Sequence, residues 1–73
     1  MDRLTKMELT EYLISKRNEH NLDQHQLAQA VGMSQPAISR WELGYSLPTF
    51  RALRELSKLY GVSADEILSK RIY

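Results

Sequence analysis

The stretch from residue 22 to residue 44 reads LDQHQLAQAVGMSQPAISRWELG, and it predicts two short helices joined by a tight turn. Apolar side chains recur at helical spacing in both halves of this stretch. They are Leu27, Ala28 and Val31 in the first half, and Ile38 and Trp41 in the second. Gly32 lies between the halves, where a sharp reversal of the chain needs the positive φ that glycine adopts at least cost.

The second of these helices has a recognisable beginning. Ser34 offers a side-chain oxygen that can cap its first turn. Pro36 falls within that turn, where the missing N–H group of proline is no loss. A helix, a glycine-containing turn and a second helix together make the helix-turn-helix arrangement.

The outer edge of the second helix carries side chains suited to reading DNA bases. With the cap in that place, Ile38 and Trp41 face the protein. The side chains left toward one outer edge are Gln35, Pro36 and Arg40. Glutamine pairs with N6 and N7 of adenine, arginine pairs with O6 and N7 of guanine, and a flat apolar ring can touch a thymine methyl group or a sugar. Any one of these residues, taken singly, is more simply an ordinary solvated residue; their position on this helix favours base recognition.

Helical periodicity continues on both sides of this stretch with no strand-like alternation, so we expect an all-α fold. A first helix is predicted from about residue 6 to residue 19, with Leu9 and Leu13 on its apolar side. Asn21 can adopt the left-handed conformation that ends it. The next two helices are predicted to end at Val31 and to span about residues 35–43.

Two further helices are predicted in the second half of the chain. Thr49 caps a fourth helix that runs to about residue 60, where Gly61 ends it. The side chains expected on its inner side are Phe50, Leu53, Leu56 and Tyr60. Ser63 caps the last helix, with Glu66 three residues further on, which is the spacing of a capping box.

Other short motifs accompany the helix-turn-helix in a fixed order. They are SKR at 15–17, Leu22 followed by Gln24, LAQAVG at 27–32, SQPAIS at 34–39, Trp41-Glu42, Gly44, Pro48 and GVSADEIL at 61–68. The ordered set resembles the lambdoid phage repressor and Cro class of helix-turn-helix proteins, often called Xre-like. The resemblance implies a compact five-helix, lambda repressor-like domain. We expect a single DNA-binding domain over residues 1–73, with its core at about 7–69 and the helix-turn-helix at 23–43.

The resemblance also implies roles for residues of the recognition helix. Gln24 resembles a glutamine that touches a phosphate and braces the first glutamine of that helix, which is Gln35 here. Gln35 would then read a base, with adenine as the expected partner. Pro36 and Arg40 would occupy the other two positions that face the groove.

A charged pair is implied between the first and third helices. Arg17 and Glu42 match an arginine and a glutamate that join these helices in the phage repressors. A purely local interpretation makes both of them solvated surface charges. The two interpretations differ in burial, because removing one partner of a buried pair strands the other charge.

Hydroxyl and basic side chains around the turn are candidates for holding the DNA backbone. Many relatives carry an asparagine, a glycine and a basic residue after the recognition helix, whereas this chain has LGY at 43–45, so hydroxyl groups would have to replace the basic contact. The candidates for phosphate contacts are Gln24, Ser34, Ser39, Tyr45, Ser46, Thr49, Lys16 and Arg51. Plain surface or capping roles remain alternatives for Lys16, Thr49 and Arg51.

Length and charge limit how the chain can bind DNA. Its 73 residues allow one domain with a modest core, and without cysteine that core must be held by packing. The chain has ten basic and nine acidic residues, a net charge of +1, and Arg40 is the only lysine or arginine between residues 22 and 50. Because non-specific affinity depends on neutralised phosphates, we expect it to be low and expect specific binding to need a dimer.

Nothing in the sequence indicates an enzyme. His20 and His25 have no cysteine beside them, no metal-ligand spacing and no nucleophile pattern, and the chain lacks a glycine-rich phosphate loop. We therefore expect no catalytic residue, metal, cofactor or small-molecule ligand. There is also no apolar run long enough to cross a bilayer and no signal-peptide core, so a cytoplasmic, nucleoid-associated protein is expected.

These expectations combine into a sequence-specific regulator of transcription. Its partner would be a near-palindromic operator in double-stranded DNA, bound by a homodimer, with repression as the default outcome and activation through contact with polymerase as the other. The candidate dimer surface is Leu68, Ile72 and Tyr73; a frayed tail is the alternative. Two other functions stay open: an antitoxin-like or anti-repressor module that binds a protein with the same fold, and an architectural or recombination accessory factor.

Overall fold

A computed structural model of the chain describes residues 2–70, with side chains from residue 8 onward, and it confirms the all-α fold. Its helices are α1 (Asp2–Glu19), α2 (Gln24–Val31), α3 (Gln35–Leu43), α4 (Phe50–Tyr60) and α5 (Ala64–Ser69). The first helix begins about one turn earlier than its predicted start near residue 6. The segment before that point, DRLTK, contains neither glycine nor proline to stop the helix.

Each of the last four helices begins with a side-chain cap, and three of these caps, Ser34, Thr49 and Ser63, are the predicted ones. The capping residues are Asp23, Ser34, Thr49 and Ser63, and each side chain accepts a hydrogen bond from a backbone N–H three residues later. Asp23 and Gln26 also form a reciprocal capping box. The capping box predicted at Ser63 is only half formed, because the Glu66 carboxylate accepts a 2.7 Å hydrogen bond from the Tyr12 hydroxyl instead.

Residues with positive φ end the first two helices. Asn21 ends α1 with a φ of 56°, as predicted, and Gly32 ends α2 with a φ of 69°. At Gly32 an added Cβ would meet no atom within 4 Å. Glycine is needed at this position for its backbone conformation alone, since the space around it would admit a side chain.

The core lies among all five helices. Its buried apolar residues are Leu9, Leu13, Leu27, Ala28, Val31, Ile38, Trp41, Ala52, Leu53, Leu56, Tyr60 and Ile67. The prediction that Phe50 lines the inner side of α4 is wrong, because its side chain is 86% exposed and Ala52 is buried instead. Phe50 is the first residue of α4 and precedes Ala52 by two positions, which puts it on nearly the opposite face of the helix.

Packing between the helices fixes how α3 is presented. Helix α3 contacts α2 and α1, α4 contacts α2 and α5, and α5 also contacts α1. Helix α3 is therefore held by α1 and α2 from one side. Within residues 2–70, no helix is long and apolar enough to span a membrane.

Tyr60 is a buried polar residue at the end of α4. Its hydroxyl has no hydrogen-bond partner among the described residues, and its ring centroid lies 4.9 Å from that of His20. Burial, together with the nearby Glu42 carboxylate, raises the pKa of Tyr60 from 10.0 to about 12. The hydroxyl is therefore held in its neutral form without the compensation that a partner would give.

We expect Tyr60→Phe to fold normally and to raise the free energy of unfolding at pH 7 by up to about 1 kcal/mol, because it removes an uncompensated buried hydroxyl. The wild type should also lose stability as the pH rises from 10.0 to about 12, since the unfolded chain releases the Tyr60 proton before the folded chain does. Urea unfolding at pH 7 measures the first effect, and urea unfolding between pH 10.0 and about 12 measures the second. A variant that is clearly less stable than wild type at pH 7 would show that the hydroxyl is satisfied.

Candidate nucleic-acid interface

The recognition helix α3 buries one side and exposes the other. Ile38 is fully buried and Trp41 is buried, so these two side chains turn toward α1 and α2. Gln35, Pro36 and Arg40 are all exposed. The three residues predicted to face the major groove of DNA therefore lie at the surface of one helix, and no described segment of the chain covers them.

The turn before α3 is rigid for local reasons. Gly32 and Met33 donate backbone hydrogen bonds back into α2, to the carbonyls of Gln29 and Ala28. These two hydrogen bonds form the Schellman motif, which needs a residue in the left-handed conformation after the helix. One residue later, the Ser34 hydroxyl accepts from the Ala37 N–H at 3.3 Å, so α3 begins at a fixed distance from the end of α2.

The structure brings Arg17 and Glu42 together in a two-pronged ion pair. The Arg17 Nε lies 2.7 Å from Glu42 Oε2, and Arg17 Nη2 lies 3.0 Å from Glu42 Oε1. The side chains are only 15% and 6% exposed, respectively. Arg17 Nη1 also donates to the carbonyl of Leu22 at 2.9 Å, which ties the pair to the chain between α1 and α2. Its hydrogen bond to Glu42 raises the pKa of Arg17, so the guanidinium stays charged.

Gln24 joins the same cluster, and the sequence did not predict this contact. Its Nε2 donates to Glu42 Oε1 at 3.0 Å, so one carboxylate receives hydrogen bonds from both α1 and α2. Among the described residues, no hydrogen bond joins Gln24 to Gln35, so the predicted brace between them is absent from this structure. The reason is physical: a carboxylate oxygen is a stronger hydrogen-bond acceptor than an amide oxygen.

Both ends of α3 are therefore positioned by its neighbours. Ser34 and the Gly32 turn fix its first residues, and Glu42 ties its last turn to α1 and α2. Beyond it, Gly44 adopts a left-handed φ of 82° and Tyr45 donates its N–H to the Arg40 carbonyl at 2.9 Å. The exposed edge between these fixed ends is the surface that a ligand would meet.

The candidates for DNA backbone contacts differ in exposure. Five of them are exposed, namely Ser34, Tyr45, Ser46, Thr49 and Arg51. Three are half-buried, namely Lys16, Gln24 and Ser39. Lys16 lies 3.5 Å from Glu19 and 5.6 Å from the Tyr12 ring centroid, so its ammonium already has partners on α1. The Ser34 and Thr49 oxygens accept from helix N–H groups, which leaves each hydroxyl proton free to donate.

Of the predicted dimer surface, only Leu68 lies in the described part of the chain. Leu68 is half-buried and packs against the core, whereas Ile72 and Tyr73 lie outside the described residues. The large apolar side chains that are exposed lie elsewhere, at the end of α3, in the following loop and at the start of α4. They are Leu43, Tyr45, Leu47 and Phe50.

Comparison with known proteins agrees with this geometry. The family model described as "Helix-turn-helix" matches residues 13–67, which include α2, the turn and α3. The chain belongs to the lambda repressor-like helix-turn-helix family. This is a family of DNA-binding transcriptional regulators, and membership confirms the resemblance seen in the sequence.

Two relatives carry names that describe opposite effects on transcription. The chain is 43% identical over 63 residues to the HTH-type transcriptional activator BcrR of Enterococcus faecalis, which is 86% of this chain and 31% of that protein. It is 30% identical over 64 residues to the cryptic phage CTXphi transcriptional repressor RstR of Vibrio cholerae serotype O1. That match covers 88% of this chain and 57% of RstR.

The chain thus spans about a third of one helix-turn-helix relative and somewhat more than half of the other. What it shares with both is the region of the recognition helix and its supports. No solved structure matches the chain at a significant level. In the part of the chain that the structure describes, no three histidine or acidic side chains lie close enough together to hold a metal ion.

We expect Arg17→Met and Glu42→Leu each to cost about 3–5 kcal/mol of stability, because each leaves the other charge buried and unpaired. The double variant should lose clearly less than the sum of the two, since it leaves no stranded charge. Urea unfolding of the four proteins gives this double-mutant cycle. Losses that simply add would mean that the two side chains act independently.

Proposed function

We propose that this domain binds a specific sequence in double-stranded DNA by placing α3 in the major groove. The observation that carries the proposal is the orientation of α3: Ile38 and Trp41 are buried while Gln35, Pro36 and Arg40 are exposed. A major groove admits one helix, and base edges there offer distinct donor and acceptor patterns. Gln35 would pair with adenine, Arg40 with guanine, and Pro36 would touch a thymine methyl group or a sugar.

Hydroxyl groups on both sides of α3 would hold the domain in register on the backbone. Ser34 and Thr49 keep a free hydroxyl proton, and Tyr45 and Ser46 are exposed in the loop that follows α3. Such contacts fix orientation and carry no sequence information themselves. Arg51, exposed on the first turn of α4, would add a positive charge to these backbone contacts.

Charge supports the need for two copies at the site. The chain has a net charge of +1, so one domain neutralises few phosphates and gains little non-specific affinity. Two domains on a near-palindromic operator, with half-sites roughly 34 Å apart, would double the specific contacts. A homodimer on an operator that overlaps a promoter would block polymerase, so we propose repression in the cytoplasm as the regulatory outcome.

A second candidate function is a protein-interaction module of the antitoxin-like or anti-repressor kind. It is favoured by the exposed apolar side chains of Leu43 and Tyr45, at the position where many relatives have polar and basic residues. Selection of bound sequences from random duplexes separates the candidates. Enrichment of a defined near-palindrome supports the regulator, and no enrichment supports the protein-binding module.

We expect Arg40→Ala to weaken binding to the selected duplex by about 1–3 kcal/mol and to relax base preference at one position of each half-site. Titration against duplexes with all four bases at each position measures this preference. Arg51→Ala provides the contrast, because loss of a phosphate contact weakens all sequences alike. Uniform weakening by Arg40→Ala would place Arg40 on the backbone instead.

We expect Gln35→Ala to lose discrimination for adenine at a different position, because only a side-chain amide supplies both the donor and the acceptor that adenine needs. The matched control is Gln29→Ala, which removes an exposed glutamine from α2 without touching α3. The same duplex titrations apply. A Gln35→Ala curve identical to wild type on every duplex would remove Gln35 from the interface.

A further inference from the structure

An apolar groove lies along α4, next to the start of α5. Its volume is about 500 Å³, and the residues that line it are Phe50, Arg51, Leu53, Arg54, Ser57 and Ala64. Leu53 is buried at its floor, whereas Phe50 is 86% exposed at its rim. The Ser57 hydroxyl donates to the Val62 carbonyl, so it is not available to a ligand. The floor is therefore a surface for apolar side chains.

The rim of the groove is positively charged and lacks a counter-charge. Arg51 and Arg54 are exposed, and no carboxylate of a described residue lies within 4.0 Å of either guanidinium. Glu55 on the same helix is used by Lys58, at 3.8 Å. Asp65 follows Ala64, which also lines the groove, and forms no ion pair with a described residue. An apolar floor beside unpaired arginines is complementary to an apolar segment that carries negative charge.

Charge also bears on whether a second copy of the chain fits this groove. A two-fold symmetric pair brings the same surface patch of both copies together. Arg51 and Arg54 of one copy would then approach those of the other, which brings four positive charges together. Like charges brought together in this way cost free energy. A partner of opposite charge has no such cost.

We propose that this groove binds an acidic amphipathic helix of a partner protein. Apolar residues spaced three and four apart on that helix would enter beside Phe50 and over Leu53, and its carboxylates would pair with Arg54. This is the geometry of a helix laid into a groove. Arg51 already has a proposed phosphate contact, so Arg54 is the arginine proposed to pair with the partner's carboxylates. The exposed residues of α3 are not among those that line the groove.

The test uses the full chain and a phage-displayed library of random 16-residue peptides. We expect selection to enrich peptides with acidic residues around apolar residues at helical spacing. A synthetic copy of an enriched peptide should bind Phe50→Ser about tenfold more weakly, because an exposed aromatic anchor is lost. It should bind Arg54→Ala roughly two- to fivefold more weakly, the range of one exposed ion pair.

Matched controls separate these effects from general ones. Leu47→Ser removes another exposed apolar side chain, and Lys58→Ala removes another exposed charge of α4; both lie outside the groove lining and should bind the peptide as wild type does. All four variants should melt as wild type does, because each substituted side chain is exposed. They should also keep their preference among duplexes, so the proposed DNA contacts are tested separately.

Each of several results would overturn the proposal. One is enrichment of no peptide, or of peptides without acidic residues. Another is sedimentation that shows a dimer lost in Phe50→Ser, which would assign the groove to a second copy of the chain. A third is a duplex affinity that falls more for Arg54→Ala than for Lys58→Ala, with the peptide unaffected, which would make Arg54 a phosphate contact.

Discussion

The relative arrangement of α1, α2 and α3 depends on the hydrogen bonds that the buried Glu42 carboxylate accepts. This carboxylate receives two hydrogen bonds from Arg17 of α1 and one from Gln24 of α2. A charge with so little exposure is tolerated only when its partners are close and well oriented, so the cluster admits one relative placement of three helices. Since Glu42 lies in the last turn of α3, that placement is also the placement of the recognition helix.

The surface offered to DNA follows from what α3 must bury. Ile38 and Trp41 fill the space against α1 and α2, and a helix that turns those side chains inward has to turn Gln35 and Arg40 outward. In the proposed binding mode, with little net charge on the chain, recognition would depend on the geometry of these few side chains more than on general attraction to phosphate. Rigid support of α3 is then a requirement for specificity, because hydrogen bonds to base edges tolerate little displacement.

Helix α4 contributes residues to both of the proposed contact surfaces. Its capped start, at Thr49, adjoins the exposed loop that follows the recognition helix. Along its length, Phe50, Leu53 and Arg54 form an apolar groove with a basic rim. The family includes proteins named as an activator and as a repressor, and in a domain this small a second contact surface has to share helices with the first.

The fold class, the turn and the bounds of α3 could be predicted from side-chain caps, left-handed residues and apolar spacing, because these signals act within a few residues. The acceptor that Gln24 uses and the direction in which Phe50 faces depend on contacts between helices, so they could not be predicted in this way. The Gln24 amide could reach several polar groups, and the folded chain places it 3.0 Å from the Glu42 carboxylate, which also accepts hydrogen bonds from Arg17. Phe50 is apolar and reads as core in the sequence, but the inner face of α4 is set by the i, i+4 row from Ala52 to Leu56 and Tyr60, which packs against the rest of the core and leaves Phe50 outside.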